Sequence, residues 1–195
     1  MSLTNQQLDL GYTYQTFDRD INKVIAFRPV VLEQDLQHIH NWMNQPHVIP
    51  FWNLALDLEQ MREHLQRAIA DTHQILYIGL LDDVPMSYWE SYWAADDIVA
   101  QCYPAHAADQ GIHLLIGPPE FLGLGYALPL LRAMTSFQFQ HLETQKIITE
   151  PDSRNHKMIY VFERCGFEFQ KEIDLPDKRA ALMFCHRQRF MGRLK

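Results

Sequence analysis

Residues Gly111 to Tyr126 read Gly-Ile-His-Leu-Leu-Ile-Gly-Pro-Pro-Glu-Phe-Leu-Gly-Leu-Gly-Tyr, an apolar strand that runs into a glycine-bearing turn and then opens a helix. Gly123 and Gly125 carry no Cβ, so backbone N–H groups there can close on an anion. The helix expected from Ala127 to about His141 adds the partial positive charge of its N-terminus. A pyrophosphate fits such a turn, although a bare Gly-x-Gly also serves as a plain turn and helix cap. Two other phosphate-binding designs are excluded. A dinucleotide fingerprint belongs at the first strand of a βαβ unit with a third glycine, whereas this turn comes past the middle of the chain, and no Gly-Lys-Ser/Thr follows it.

The order of elements is legible from spacing. Val24 to Val31 reads as a strand and Glu33 to Met43 as a helix with Leu36, Ile39 and Met43 on one face. Pro46 and Pro50 break the segment Asn44 to Asn53. Asp57 to Gln60 has capping-box form and starts a second helix, striped by Leu58, Met61, Leu65 and Ile69. Gln74 to Leu81 and Met86 to Trp93 form a hairpin turning at Asp82-Asp83. Further strands are expected at Gly111 to Gly117, Lys146 to Glu150, Phe167 to Asp174 and Arg179 to His186. A helix from Asn155 to Arg164 is stopped by Gly166.

A chain of 195 residues suits one domain, and no linker or repeat divides it. The net charge of −7 argues against nucleic-acid binding, which depends on Lys and Arg neutralising phosphates. No run approaches the roughly 18 apolar residues of a membrane span, and the first residues lack signal-peptide form, so a cytoplasmic protein is expected. Cys102, Cys165 and Cys185 are odd in number and lack Cys-x-x-Cys spacing, which points to reduced thiols. His38 and His40 are two apart and face different sides of their helix, so no metal is expected.

Strand, two helices, three strands, helix, strand, helix, two strands: this order and the turn Glu120-Phe121-Leu122-Gly123-Leu124-Gly125 resemble the Gcn5-related N-acetyltransferase superfamily. The resemblance implies an α/β single-domain acetyltransferase fold, a mixed central sheet with splayed fourth and fifth strands flanked by helices. It covers residues 24–195 as an acyl-CoA N-acyltransferase domain and leaves 1–23 as an N-terminal extension. Acetyl-CoA, or another short acyl-CoA, is the implied co-substrate, with its pyrophosphate on Phe121, Leu122, Gly123, Leu124, Gly125 and Tyr126. Glu120 departs from the superfamily's Gln or Arg, so binding there rests on backbone amides. The implied partners are a small-molecule amine or hydroxylamine, with no nucleic acid and no membrane; a homodimer is left open.

Acyl transfer to nitrogen needs a polarised carbonyl, an unprotonated nucleophile and protonation of the leaving thiolate. By resemblance, backbone N–H groups near Leu115, Ile116 and Gly117 polarise the thioester. The base candidates are His113, Glu150 and Asp152. Asp152 is equally suited to cap the helix that follows, and a strand histidine can be purely structural. Asn155 and Phe162 lie in the stretch that flanks the pantetheine. Many members have a tyrosine where Phe162 stands, and Tyr160 lies on another face of the helix and does not replace it.

Trp52, Trp89, Glu90 and Tyr92 are expected to wall the acceptor pocket, although strand alternation puts Trp89 on the opposite face from Glu90 and Tyr92. Lys178 and Arg179 are candidates to grip a carboxylate, Lys178 reading more simply as a solvated turn. Within the superfamily, His-Leu-Leu-Ile-Gly at 113–117, Glu150-Pro151, Asn155-x-Lys-Met158 and Lys178-Arg-Ala-Ala-Leu-Met183 are similar to the hydroxylamine acyltransferases of hydroxamate siderophore synthesis, the aerobactin type. Aminoglycoside 6′-N-acetyltransferases, which carry Asp where this chain has His113, are one alternative, and a non-catalytic acetyl-CoA-binding protein, suggested by Glu120 and Phe162, is another.

Overall fold

Asp57 opens its helix as the sequence predicts. Its side chain accepts from the Gln60 N–H at 2.9 Å while Gln60 reaches back to the Asp57 N–H at 3.2 Å. The computed structural model describes residues 11–193. Among them lie β1 (Tyr14–Asp18), β2 (Lys23–Pro29), α1 (Leu32–Met43), α2 (Ile49–Trp52), α3 (Leu58–Ala70), β3 (Gln74–Leu81) and β4 (Val84–Trp93). There follow β5 (Gln110–Ile116), α4 (Ala127–Gln138), β6 (Lys146–Thr149), α5 (His156–Cys165), β7 (Glu168–Asp174), β8 (Arg179–His186) and α6 (Arg187–Arg193). Short 3₁₀ turns at 94–96, 98–102 and 119–121 occupy the connections.

The described strands form one sheet in the order β1-β2-β3-β4-β5-β6-β8-β7. Neighbours are antiparallel except β5 and β6, whose parallel pairing is limited to Gln110 with Ile147 and Gly111 with Ile148. Beyond Gly111 the two strands separate, as the splayed arrangement implies. One face of the sheet carries α1 and α3, whose Ile39, Met43, Met61 and Leu65 pack on Ile78, Tyr88 and Leu115. The other carries α4 and α5, where Leu130, Met134 and Phe162 pack on Trp89, Ile112 and Leu114. Arg28 and Asp35 pin α1 to β2 through two bonds of 2.7 Å, and Asp35 also accepts from the Val31 N–H.

Three elements differ from the sequence expectation. Tyr14–Asp18 is an edge strand paired with β2, and Tyr14 packs between Phe27 and Phe137. The boundary expected after Lys23 therefore cuts a hairpin, while Met1 to Leu10, with the expected absence of a signal peptide, lie outside the described residues. Pro50 does not exclude helix from 44–53, because it occupies the first turn of α2, where its missing N–H breaks no bond. The helix expected to reach His141 ends at Gln138.

Candidate active site

Separation of β5 from β6 leaves one edge of β5 open. Gly117 N–H donates to Met86 of β4 at 2.9 Å, so alternation turns the backbone of Leu115 toward β4 and that of Leu114 and Ile116 toward the gap. The carbonyls agree with that alternation: Ile112 accepts the Thr149 hydroxyl at 3.0 Å, and Ile116 accepts from His47 Nε2 at 2.9 Å. The gap-facing donors are therefore the N–H groups of Leu114 and Ile116. Leu115, named from sequence, has its amide toward Tyr88 and its side chain in the core under α1 and α3.

The glycine turn lies at the end of the same strand. Gly123 and Gly125 adopt φ of +75° and +81°, and a Cβ on either would meet nothing within 4 Å. Tyr126 caps α4 without a side-chain hydrogen bond, so the first N–H groups of that helix lack both an intrahelical acceptor and a side-chain cap. Glu120 is exposed, as are Leu122 and Leu124, while Phe121 and Tyr126 are half-buried against one another at 6.1 Å. The residues present thus fit an anion approached by backbone amides.

A cavity of about 270 Å³ opens in the gap. Its floor is a chain of hydrogen bonds drawn from β4, β5 and the end of β6. Tyr88 donates to Glu90 at 3.0 Å, and Glu90 bonds His113 Nδ1 at 2.8 Å. His113 Nε2 bonds Glu150, whose other oxygen accepts from Tyr92 at 2.7 Å. Strand pairing explains half of this, since Glu90 faces His113 across the β4–β5 ladder and Tyr92 faces Gly111. Trp52 meets both Tyr88 and His113 edge-on, at 5.7 and 6.3 Å.

Burial alone would lower the His113 pKa, but the Glu150 charge, its hydrogen bond and those of Glu90 outweigh it and push the imidazole up to about 10. Burial raises Glu150, and the His113 charge, with help from Lys178 and Tyr92, overcomes this and holds the carboxyl down near 2. His113 is thus an imidazolium with both nitrogens occupied near neutral pH. Neither ring nitrogen is free in this arrangement, and Glu90 and Glu150 line the cavity together with the imidazole.

Asp152 also lines the cavity, but both its oxygens are held by Arg154, at 2.9 and 2.6 Å, and its carbonyl accepts the Asn155 N–H. It braces the turn into α5; the helix cap is Asn155, which accepts from Met158 at 3.2 Å. Phe162 is buried against Phe167 and lines the cavity, whereas Tyr160 is exposed beside Arg164.

The hairpin aromatics separate by face. Trp89 does not wall the cavity, contrary to expectation: it is fully buried on the α4 side, with its indole N–H on Ser87 at 2.8 Å. Tyr92 reaches the site through its hydroxyl. Lys178 is not a solvated turn residue, since it turns into the cavity with Nζ 3.9 Å from Glu150, while Arg179 pairs with Glu172 outside. His64 was not singled out in the sequence. It lines the cavity, its Nε2 is buried without a hydrogen-bond partner among the described residues, and burial lowers its pKa. Its spacing from Met61, Leu65 and Ala68 would have placed it on the inward stripe of α3.

Among the described residues no group of His, Cys, Asp or Glu is arranged to hold a metal, and no helix is long and apolar enough to cross a membrane. Strand gap, uncapped helix start and buried acid–imidazole–acid array together describe an acyl-transfer fold. Residues 31–175 match the acetyltransferase (GNAT) domain family, and the chain belongs to it. It is 32% identical over 92% of its length to the N(6)-hydroxylysine O-acetyltransferase of Escherichia coli, spanning 58% of that relative. It is 33% identical to the N-hydroxyputrescine acetyltransferase of Acinetobacter baumannii, over 85% of this chain and 79% of that one. Among solved structures, an uncharacterized protein from Bacillus halodurans superposes with a TM-score of 0.91 at 48% identity, over 92% of this chain and 93% of that one. The aminoglycoside acetyltransferase AAC(6′)-Ib in complex with coenzyme A gives 0.81 at 27% identity, over 88% and 99%.

Proposed function

We propose that this chain transfers an acetyl or other short acyl group from acyl-CoA to the hydroxylamine nitrogen of an N-hydroxylated lysine or diamine, forming a hydroxamate for siderophore biosynthesis. The observation that carries the reading is the charged His113 fixed between Glu90 and Glu150. With both ring nitrogens bonded to carboxylates, His113 offers no free base to strip a proton from an ammonium, so the site suits a nitrogen that arrives neutral. Lysine's amine, with a reference pKa near 10.4, is about 99.9% protonated at pH 7, whereas a hydroxylamine is largely neutral there. Coenzyme A complexes of AAC(6′)-Ib support the acyl-CoA assignment, and the two hydroxylamine-using relatives support the acceptor.

In the proposed reaction the nitrogen adds to the thioester carbonyl and the electron pair moves to oxygen, facing the Leu114 and Ile116 N–H groups. The nitrogen then loses its proton toward Glu150. That proton is acidic once nitrogen carries a fourth bond, so a carboxylate is base enough. Collapse breaks the C–S bond, and the thiolate leaves with one proton. The balance is R–NHOH plus acyl-S-CoA to R–N(OH)-acyl plus CoA-SH. Phe162 has no hydroxyl, so thiolate protonation falls to solvent or to the proton released by nitrogen.

The likeness to AAC(6′)-Ib favours a second reading, acetylation of an aminoglycoside amine. Thiol release measured with N6-hydroxylysine, N-hydroxycadaverine, lysine and kanamycin, each with acetyl- and succinyl-CoA, separates the two. Turnover of the N-hydroxy compounds with little of lysine is expected. Efficient kanamycin turnover with none of the N-hydroxy compounds would move the assignment to the aminoglycoside enzymes.

A further inference from the structure

We infer that the acceptor is a mono-N-hydroxylated diamine, with a hydroxylamine at one end and an ammonium at the other, in preference to an N-hydroxylated amino acid; this rests on the hydroxylamine reading above. The cavity wall carries four carboxylates, Glu90, Glu150, Asp152 and Asp177, and two cations, His113 and Lys178. Each cation is already matched. His113 lies between Glu90 and Glu150, and the Lys178 ammonium is 3.9 Å from Glu150. Asp152 is matched by Arg154. His64 is held neutral by burial and adds no charge.

Asp177 is left over. It sits in the tight turn between β7 and β8, closed by the Leu175 N–H on the Lys178 carbonyl at 2.9 Å, and among the described residues it has no ion-pair partner. It is exposed, which sets it at the mouth, while Lys178 from the same turn points inward. A molecule whose neutral nitrogen enters toward His113 and Glu150 thus brings its far end to an unpaired carboxylate. An ammonium there completes the charge balance. An α-carboxylate brings a further negative charge to a wall with no cation free to receive it, and like charges brought together across an interface are disfavoured.

N-hydroxycadaverine and N6-hydroxylysine differ by the α-carboxylate alone, which makes them the deciding pair. At pH 7.5 and low salt, kcat/KM from thiol release is expected to favour N-hydroxycadaverine by about tenfold or more, with the ratio falling as salt screens the mouth. Asp177→Asn should raise KM for N-hydroxycadaverine several-fold, leave kcat near wild type, and shrink the ratio, with acetyl-CoA affinity by calorimetry as the control for folding. Equal turnover of the two, a preference for N6-hydroxylysine, or a ratio untouched by Asp177→Asn overturns the inference while the hydroxylamine reading stands. Turnover of neither compound overturns that reading itself.

Discussion

The ring of Tyr92 lies across Gly111 on the neighbouring strand, so close that a Cβ at Gly111 would overlap it, and from there its hydroxyl reaches Glu150 at 2.7 Å. The glycine at the start of β5 therefore bears on the site: its bareness leaves room for the phenol to reach the carboxylate. The same relation recurs at the far end of β5, where the Trp42 indole covers Gly117.

Gly111→Ala is accordingly expected to expel the Tyr92 ring and strip Glu150 of a donor. Turnover should fall while acetyl-CoA affinity holds. Tyr92→Phe, which removes only the hydroxyl, should cost about 1–3 kcal/mol in urea unfolding, because a buried carboxylate oxygen loses its partner. Wild-type kcat in Gly111→Ala would mean that the overlap has no bearing on catalysis.

Stability should depend on pH through His113. Its folded pKa, about 10, lies above the usual 6.5, so its contribution is full below pH 6.5 and is lost as pH climbs toward 10. Glu150, held near 2, contributes fully above its usual 4.5 and loses that contribution as pH falls toward 2. The gap in Tm between wild type and His113→Gln should be widest between about pH 4.5 and 6.5 and narrow steadily on the alkaline side. A gap unchanged up to pH 10 contradicts the charged imidazole.

Glu150→Gln and His113→Ala should each lower kcat by roughly 10²-fold or more, the scale of a lost proton acceptor or of its fixed counter-charge. Asp152→Asn, whose carboxylate is spent on Arg154, should act mainly on stability. A larger loss of turnover in Asp152→Asn than in Glu150→Gln would exchange their roles.

At the glycine turn, Gly123→Val and Gly125→Val force a β-branched residue into positive φ, in space that is otherwise open. Both proteins should fold and bind acyl-CoA more weakly by calorimetry. Unaltered affinity in folded variants would place the anion elsewhere.

Asp35 is fully buried with Arg28 as its bidentate partner, so Asp35→Ala strands a buried guanidinium and should cost about 3–5 kcal/mol in equilibrium unfolding.

Much of this architecture was legible in the sequence because it is written in local chemistry. The Asp57 capping box, the stripe of α3 and the Gly166 helix stop, with φ of +115°, are each decided by a few adjacent residues. What escaped was decided across strands. Tyr14–Asp18 becomes a strand only by pairing with β2. Alternation separated Trp89 from Tyr92 but could not say which faced the cavity, since both faces of β4 are covered by helices. His113, Glu90 and Glu150 were singled out individually. Their meeting, and with it the charge on the imidazole, depends on the β4–β5 register and on where β6 ends. The inward turn of Lys178 is set by a four-residue hairpin that carries no periodic signal.

The narrow β5–β6 pairing also has a mechanical meaning. Five strands on one side and three on the other are two plates joined along a seam only two residue pairs wide. A molecule that contacts both plates across the gap acts as a cross-brace, and its binding free energy adds to the resistance of the whole sheet to unfolding. Thermal denaturation is then a direct reading of occupancy, and amide exchange at the seam, around Gly111 and Ile148, should slow first.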